Sequence, residues 1–114
     1  MGALFFSAND REFLDHPKFA GVRIAVLVKR ENSDAVSVSE LEIDSGVEIP
    51  RHTHDTQLDS IYCISGEAEA FVKGKWTKVA AGDYIFVPPN DEHGIRNIGD
   101  QHLRLFIHHS PPMY

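Results

Sequence analysis

The sequence predicts an all-β sandwich or barrel, on three observations. From Val22 onward, short runs rich in Val, Ile, Phe, Tyr and Thr follow one another at near-regular spacing. Gly, Pro, Asn and Asp fall between most of these runs, where the chain has to turn. Helix signals are confined to the front of the chain. At 114 residues there is enough chain for one hydrophobic core and too little for two ordinary domains.

Taken in order, "SANDREFLDH" offers Ser7 or Asn9 as an N-cap for a short helical turn ended by Pro17. The strand runs are then "VRIAVLV", "AVSVSELEI", "SIYCI", "AEAFV", "WTKV", "YIFV", "HGIRN" and "LRLFIH". Lys73-Gly74 suits a two-residue hairpin turn between "AEAFV" and "KWTKV". Trp76, Phe86 and Phe106 are read as core, Cys63 as a small buried thiol, and His16 and His102 as exposed. Of His108 and His109 at most one can face inward, and His108 is the candidate for lining a pocket. The tail "SPPMY" is an irregular end piece and a candidate contact with a partner chain. No internal repeat or low-complexity linker divides the chain.

Composition narrows the function classes. Hydrophobic residues make up 42% and charged residues 25%, within the globular range, so neither disorder nor a fibrous repeat is indicated. The net charge of -6 comes with no basic run, which argues against a nucleic-acid partner, because phosphate binding needs clustered Lys and Arg. A single cysteine excludes an intramolecular disulfide framework and suits a reducing compartment. The opening "MGALFFSAND" lacks the basic region of a secretory leader, and Phe6 stands where N-myristoylation requires Ser or Thr. No stretch approaches the roughly 20 apolar residues of a membrane span. The expectation is a cytoplasmic protein with neither membrane nor nucleic acid as partner.

The chemistry concentrates in "HTHDTQLDS", residues 52–60. With "EIPRHTH" on a strand, His52 and His54 point to one face about 6.6 Å apart at roughly 3.3 Å per residue, so two imidazoles can converge on one ion. If "DTQL" is a four-residue hairpin loop, Asp59 pairs opposite His54 and shares its face, while Gln57 is a loop residue. Two histidines and a carboxylate make the facial set favoured by Fe(II), with Mn, Ni, Co or Zn as other occupants. A fourth candidate is His93, which follows the turn "PPND" and begins a strand. In that turn Asn90 suits a positive-φ position.

These residues resemble the cupin superfamily. The pattern G-x5-H-x-H-x4-E-x6-G is matched at Gly46, His52, His54 and Gly66, with Asp59 in place of Glu. The pattern G-x5-P-x-G-x2-H-x3-N is matched at Gly82, Pro88, His93 and Asn97, with Asn90 in place of the inner Gly. The short spacer, residues 67–81, is similar to that of small single-domain bacterial cupins. The shorter Asp59 carboxylate is retracted by roughly 1.5 Å, which puts direct ligation by this residue in question. The left-handed turn at Asn90 tolerates its change.

The resemblance implies a cupin jelly-roll β-barrel of antiparallel strands over residues 21–110, holding one divalent transition metal through His52, His54, Asp59 and His93. It also implies a homodimer in which residues 1–20 form the contact, with residues 111–114 as the tail. Cupins serve many chemistries, so the implied function stays broad. The leading expectation is a metal-dependent, dioxygenase-like enzyme acting on a small organic molecule. A non-catalytic small-ligand or sugar-binding sensor is the alternative, and a lyase or isomerase acting on a sugar acid is a third reading.

Overall fold

The computed structural model describes residues 2–114. Ten strands run β1 Leu14–Asp15, β2 Val22–Val28, β3 Ser37–Ile43, β4 Glu48–His52, β5 Leu58–Ser65, β6 Glu67–Val72, β7 Lys75–Ala80, β8 Tyr84–Val87, β9 His93–Asn97 and β10 Leu103–Ser110. They form two sheets, one of six strands in the order β1-β2-β3-β10-β5-β8 and one of four in the order β4-β9-β6-β7. Every pairing is antiparallel. The fold is the all-β jelly roll expected, although the two sheets face each other as a sandwich and do not close into a continuous barrel.

The core lies between the sheets. Alternation on β3 and β10 sends Leu41, Ile43, Leu103, Leu105 and Ile107 inward, and Ala68 and Ala70 of β6 and Ile95 of β9 meet them from the other side. The eight strand runs read from sequence are all strands, and Lys73 and Gly74 both take positive φ, as a hairpin turn of this hand requires.

The front of the chain departs from the expectation. Ser7 does cap a helical turn, but the turn is a 3-10 helix of three residues, Ala8–Asp10. It ends well before Pro17, because Leu14 and Asp15 pair with Ile24 and Arg23 as an edge strand. The segment is tied down at Glu40, a buried carboxylate held by Arg11 and by Arg104, the latter at 2.9 Å. Phe86 is exposed on the outer face of β8, not core, and Trp76 and Phe106 are half-buried. The tail folds back on its own chain: Met113 N donates to Ser37 Oγ at 2.9 Å and Arg30 N to the Tyr114 carbonyl at 2.7 Å.

Candidate metal centre

Three features of β4 and β9 aim His52 and His93 at the same point. Strand β4 is the edge of its sheet, where Pro50 costs no ladder hydrogen bond. Its register slips by one residue between Ile49 and His52, a bulge that lets Ile49 pair with Ile95 and His52 with His93. Strand β9 approaches closely there, since a Cβ on Gly94 would lie 3.0 Å from Arg51 N and from the Ile49 carbonyl. A side chain at position 94 would push the two strands apart beside the histidines.

His54 lies just past the end of β4, in the connection to β5, not on the strand as expected. Its carbonyl accepts from Asn90 N at 2.8 Å, and Asn90 takes the positive φ of 69° that the sequence suggested. The turn before β9 thus holds the loop that carries His54.

Asp59 corrects a second expectation. Strands β4 and β5 belong to different sheets, so Asp59 is not paired with His54 across a hairpin. It sits near the start of β5, between Val87 of β8 and His109 of β10, and reaches the histidines across the gap between the sheets. Strand β5 pairs with β10 over most of its length and with β8 on its other side, while β4 pairs with β9. The carboxylate arrives all the same, with Oδ2 2.6 Å from His93 Nε2 and 3.4 Å from His54 Nε2.

His52, His54, Asp59 and His93 together present one ligand atom each, all within 4.8 Å of one another. Ligands about 2.1 Å from a shared ion lie at most about 4.2 Å apart, so modest side-chain rotation gathers the set. The supporting hydrogen bonds suit that role. His52 Nδ1 donates to the Pro50 carbonyl at 2.7 Å and His93 Nδ1 to the Asp91 carbonyl at 2.9 Å, which leaves both Nε2 atoms directed at the cluster. Asp59 is 4% exposed, and its Oδ2 faces Nε2 of both His93 and His54. Three imidazoles around one buried carboxylate oxygen are a donor set that could hold a divalent metal.

Electrostatics follow from the same contacts. Burial works to raise the Asp59 carboxyl, but His109 and His93 together outweigh it and hold it well below the usual carboxylate range. Burial works to lower His93, yet its bonds to Asp59 and to the Asp91 carbonyl win, and its pKa is raised. For His52 and His54 burial prevails and lowers both.

The cluster opens onto a cavity of about 440 Å³, within the range of small-molecule sites. Leu41, Ile49, Ile61, Val72, Ile85, Ile95, Leu105 and Ile107 make its wall largely aliphatic, and among the described residues Lys18 is the only Lys or Arg on it. His16, Met113 and Tyr114 also line it, so His16 is not exposed as expected and the tail packs against the cavity of its own chain. Cys63 is buried, with Sγ directed at the Ser65 carbonyl and not at the cavity. Gln57 is a loop residue reaching the Pro112 carbonyl, and His102 is exposed, both as read.

His109, not His108, faces inward. It is buried, lines the cavity, and brings Nε2 within 2.5 Å of Asp59 Oδ1. The signal was present in the alternation of Leu103, Leu105 and Ile107, which puts residue 109 on the core face.

The family model described as "Cupin domain" matches residues 39–109, more than half of the chain. The chain belongs to the cupin family. Among curated relatives, this cupin is 29% identical over 66 residues to "Polyketide synthase CurC" of Streptomyces cyaneus, covering 58% of the chain and 43% of that protein. It is 28% identical over 74 residues to the quercetin 2,3-dioxygenase of Bacillus subtilis, covering 65% of the chain and 22% of the enzyme. The match thus takes in less than half of either relative's length. Among solved structures, a predicted oxalate decarboxylase of Thermotoga maritima superposes with a TM-score of 0.85 at 20% identity, covering 95% of this chain and 99% of that one. At that identity the likeness is one of fold.

Proposed function

We propose that this cupin is a metal-dependent enzyme, dioxygenase-like in its chemistry, acting on a small apolar organic molecule. The observation that carries the proposal is a cluster of three histidines and a carboxylate set into a largely aliphatic cavity. His52, His54, Asp59 and His93 would hold one divalent ion, Fe, Mn, Ni, Co or Zn, which when bound supplies a Lewis acid with open coordination positions. The aliphatic walls would bury the hydrocarbon frame of the substrate and exclude water, leaving its polar end at the cluster. Relatives named for quercetin and for polyketides support this substrate class. A sugar acid is disfavoured, because the hydroxyls of its ring, beyond the carboxylate that the ion itself would hold, would meet largely aliphatic walls.

Metal analysis of untagged protein, followed by binding and oxygen-uptake assays, tests the reading. The panel sets polyphenols and β-diketones against uronates and oxalate. We expect close to one transition-metal ion per chain, and metal-dependent binding and oxygen uptake with the apolar compounds. Metal-free protein that cannot be reloaded, or a preference for the anions, overturns the proposal. Tight binding with no conversion of any compound points to the sensor reading.

We also propose that the protein acts as a homodimer, with residues 1–20 as the contact. Phe5 is 91% exposed and Leu4 and Leu14 are more than half exposed, an apolar array for which a second copy would provide cover.

A further inference from the structure

Asp59 is one methylene shorter than the Glu of the cupin pattern, yet its Oδ2 reaches the histidines. Something has to hold it there. On β5 its neighbour across β10 is His109, directly paired in register and therefore on the same face. His109 Nε2 lies 2.5 Å from Asp59 Oδ1, while His93 Nε2 lies 2.6 Å from Oδ2. The carboxylate is thus gripped from both sides, and the oxygen turned toward His54 and His93 is the one His109 does not touch. The Nδ1 of His109 has no hydrogen-bond partner among the described residues, and the ring meets those of Tyr114, with centroids 5.9 Å apart, and of His54, at 5.7 Å, edge to face.

We propose that His109 is a positioning residue for the metal centre, setting the place and rotation of the short Asp59 carboxylate so that Oδ2 serves as the ligand atom. The inference rests on the metal-site reading given above. It assigns His109 no contact with the ion. It also explains why Asp and not Glu suits this chain: at 2.5 Å there is no room between Oδ1 and the His109 ring for the roughly 1.5 Å that another methylene adds.

Co(II) titration, read by visible absorption and by the dissociation constant, tests this on the whole chain with thermal melts as the check on folding. The wild type comes first, and its failure to bind Co(II) would overturn the metal-site reading itself. Given binding, His109→Leu should weaken Co(II) about tenfold or more, the scale found for residues that orient ligands. His109→Gln, which keeps an N–H near the position of Nε2, should stay within about threefold of wild type by the same comparison. In an Asp59→Ala background, His109→Leu should cost nothing further. Should His109→Leu fail to fold, the pair Asp59→Glu and Asp59→Glu/His109→Ala decides: the double variant should bind Co(II) more tightly than the single one, because the ring no longer blocks the longer carboxylate. Unchanged affinity in folded His109→Leu, an undiminished loss in the Asp59→Ala background, or a double variant weaker than Asp59→Glu overturns the proposal.

Discussion

A histidine whose Nδ1 donates to a backbone carbonyl has only Nε2 left for other chemistry, and both His52 and His93 are in that condition. They differ in the proton on Nε2. The pKa of His93 is raised by Asp59 despite burial, so this ring keeps its proton to higher pH than an ordinary histidine, and an incoming ion must displace it. The pKa values of His52 and His54 are lowered by burial, so these rings lose their protons at lower pH than His93 does. Metal loading should therefore release protons, chiefly from His93, and apparent affinity should rise with pH through the histidine range. Below the ordinary histidine range, His52 and His54 also protonate, and the dependence should steepen. Metal titration in weakly buffered solution measures the release directly, and a proton count near zero would mean that His93 is not displaced. At this scale the motif residues were legible because each is fixed by spacing to a glycine or proline that the turns require. His109 was missed because nothing in its spacing marks it, and only the face chosen by β10 makes it a neighbour of Asp59.

Elements were legible where a run of β-branched and aromatic residues could be bounded by turn residues, as in "VRIAVLV" and "YIFV". Which strand pairs with which was not, because pairing depends on partners distant in sequence. The supposed hairpin carrying His54 and Asp59 failed for that reason: β4 pairs with β9 while β5 joins β10 and β8. The front of the chain shows the same limit. Two residues, Leu14 and Asp15, become a strand only because β2 offers an edge, and Arg11 is fixed by Glu40 of β3. With Arg11 anchored, the segment ahead of it projects Phe5 into solvent. If this segment is the contact between two copies, Phe5→Asp places a charge in the interface without touching the anchor or the cavity. Light scattering should give twice the 12.8 kDa chain mass for the wild type and a single chain mass for Phe5→Asp at micromolar concentration. A monomeric wild type, or a dimer indifferent to Phe5→Asp, would remove residues 1–20 from the interface.

At the scale of the whole molecule, the candidate ligands are divided between the two sheets. His52 and His93 belong to the four-stranded sheet and Asp59 to the six-stranded one, with His54 on the connection between them. An ion held by all four would tie the layers together at one end of the sandwich, beside the cavity that separates them. A buried carboxylate and closely set histidines face one another across that gap, with His52 and His93 also tied to backbone carbonyls of their own sheet and turn. Because the unfolded chain does not present these residues together, metal binding adds directly to folding stability. The gain is about 4 kcal/mol when free metal exceeds its dissociation constant about a thousandfold. For a domain of this size each kcal/mol shifts the melting temperature by about 4–8 °C, so saturation should raise it by more than about 15 °C, reversibly on chelation. Asp59→Ala cuts the link between the sheets while leaving three histidines, and the metal-induced rise should shrink by more than half. An undiminished rise in Asp59→Ala would place the ion on the histidines of β4, its following loop and β9 alone, with the six-stranded sheet contributing nothing to its hold.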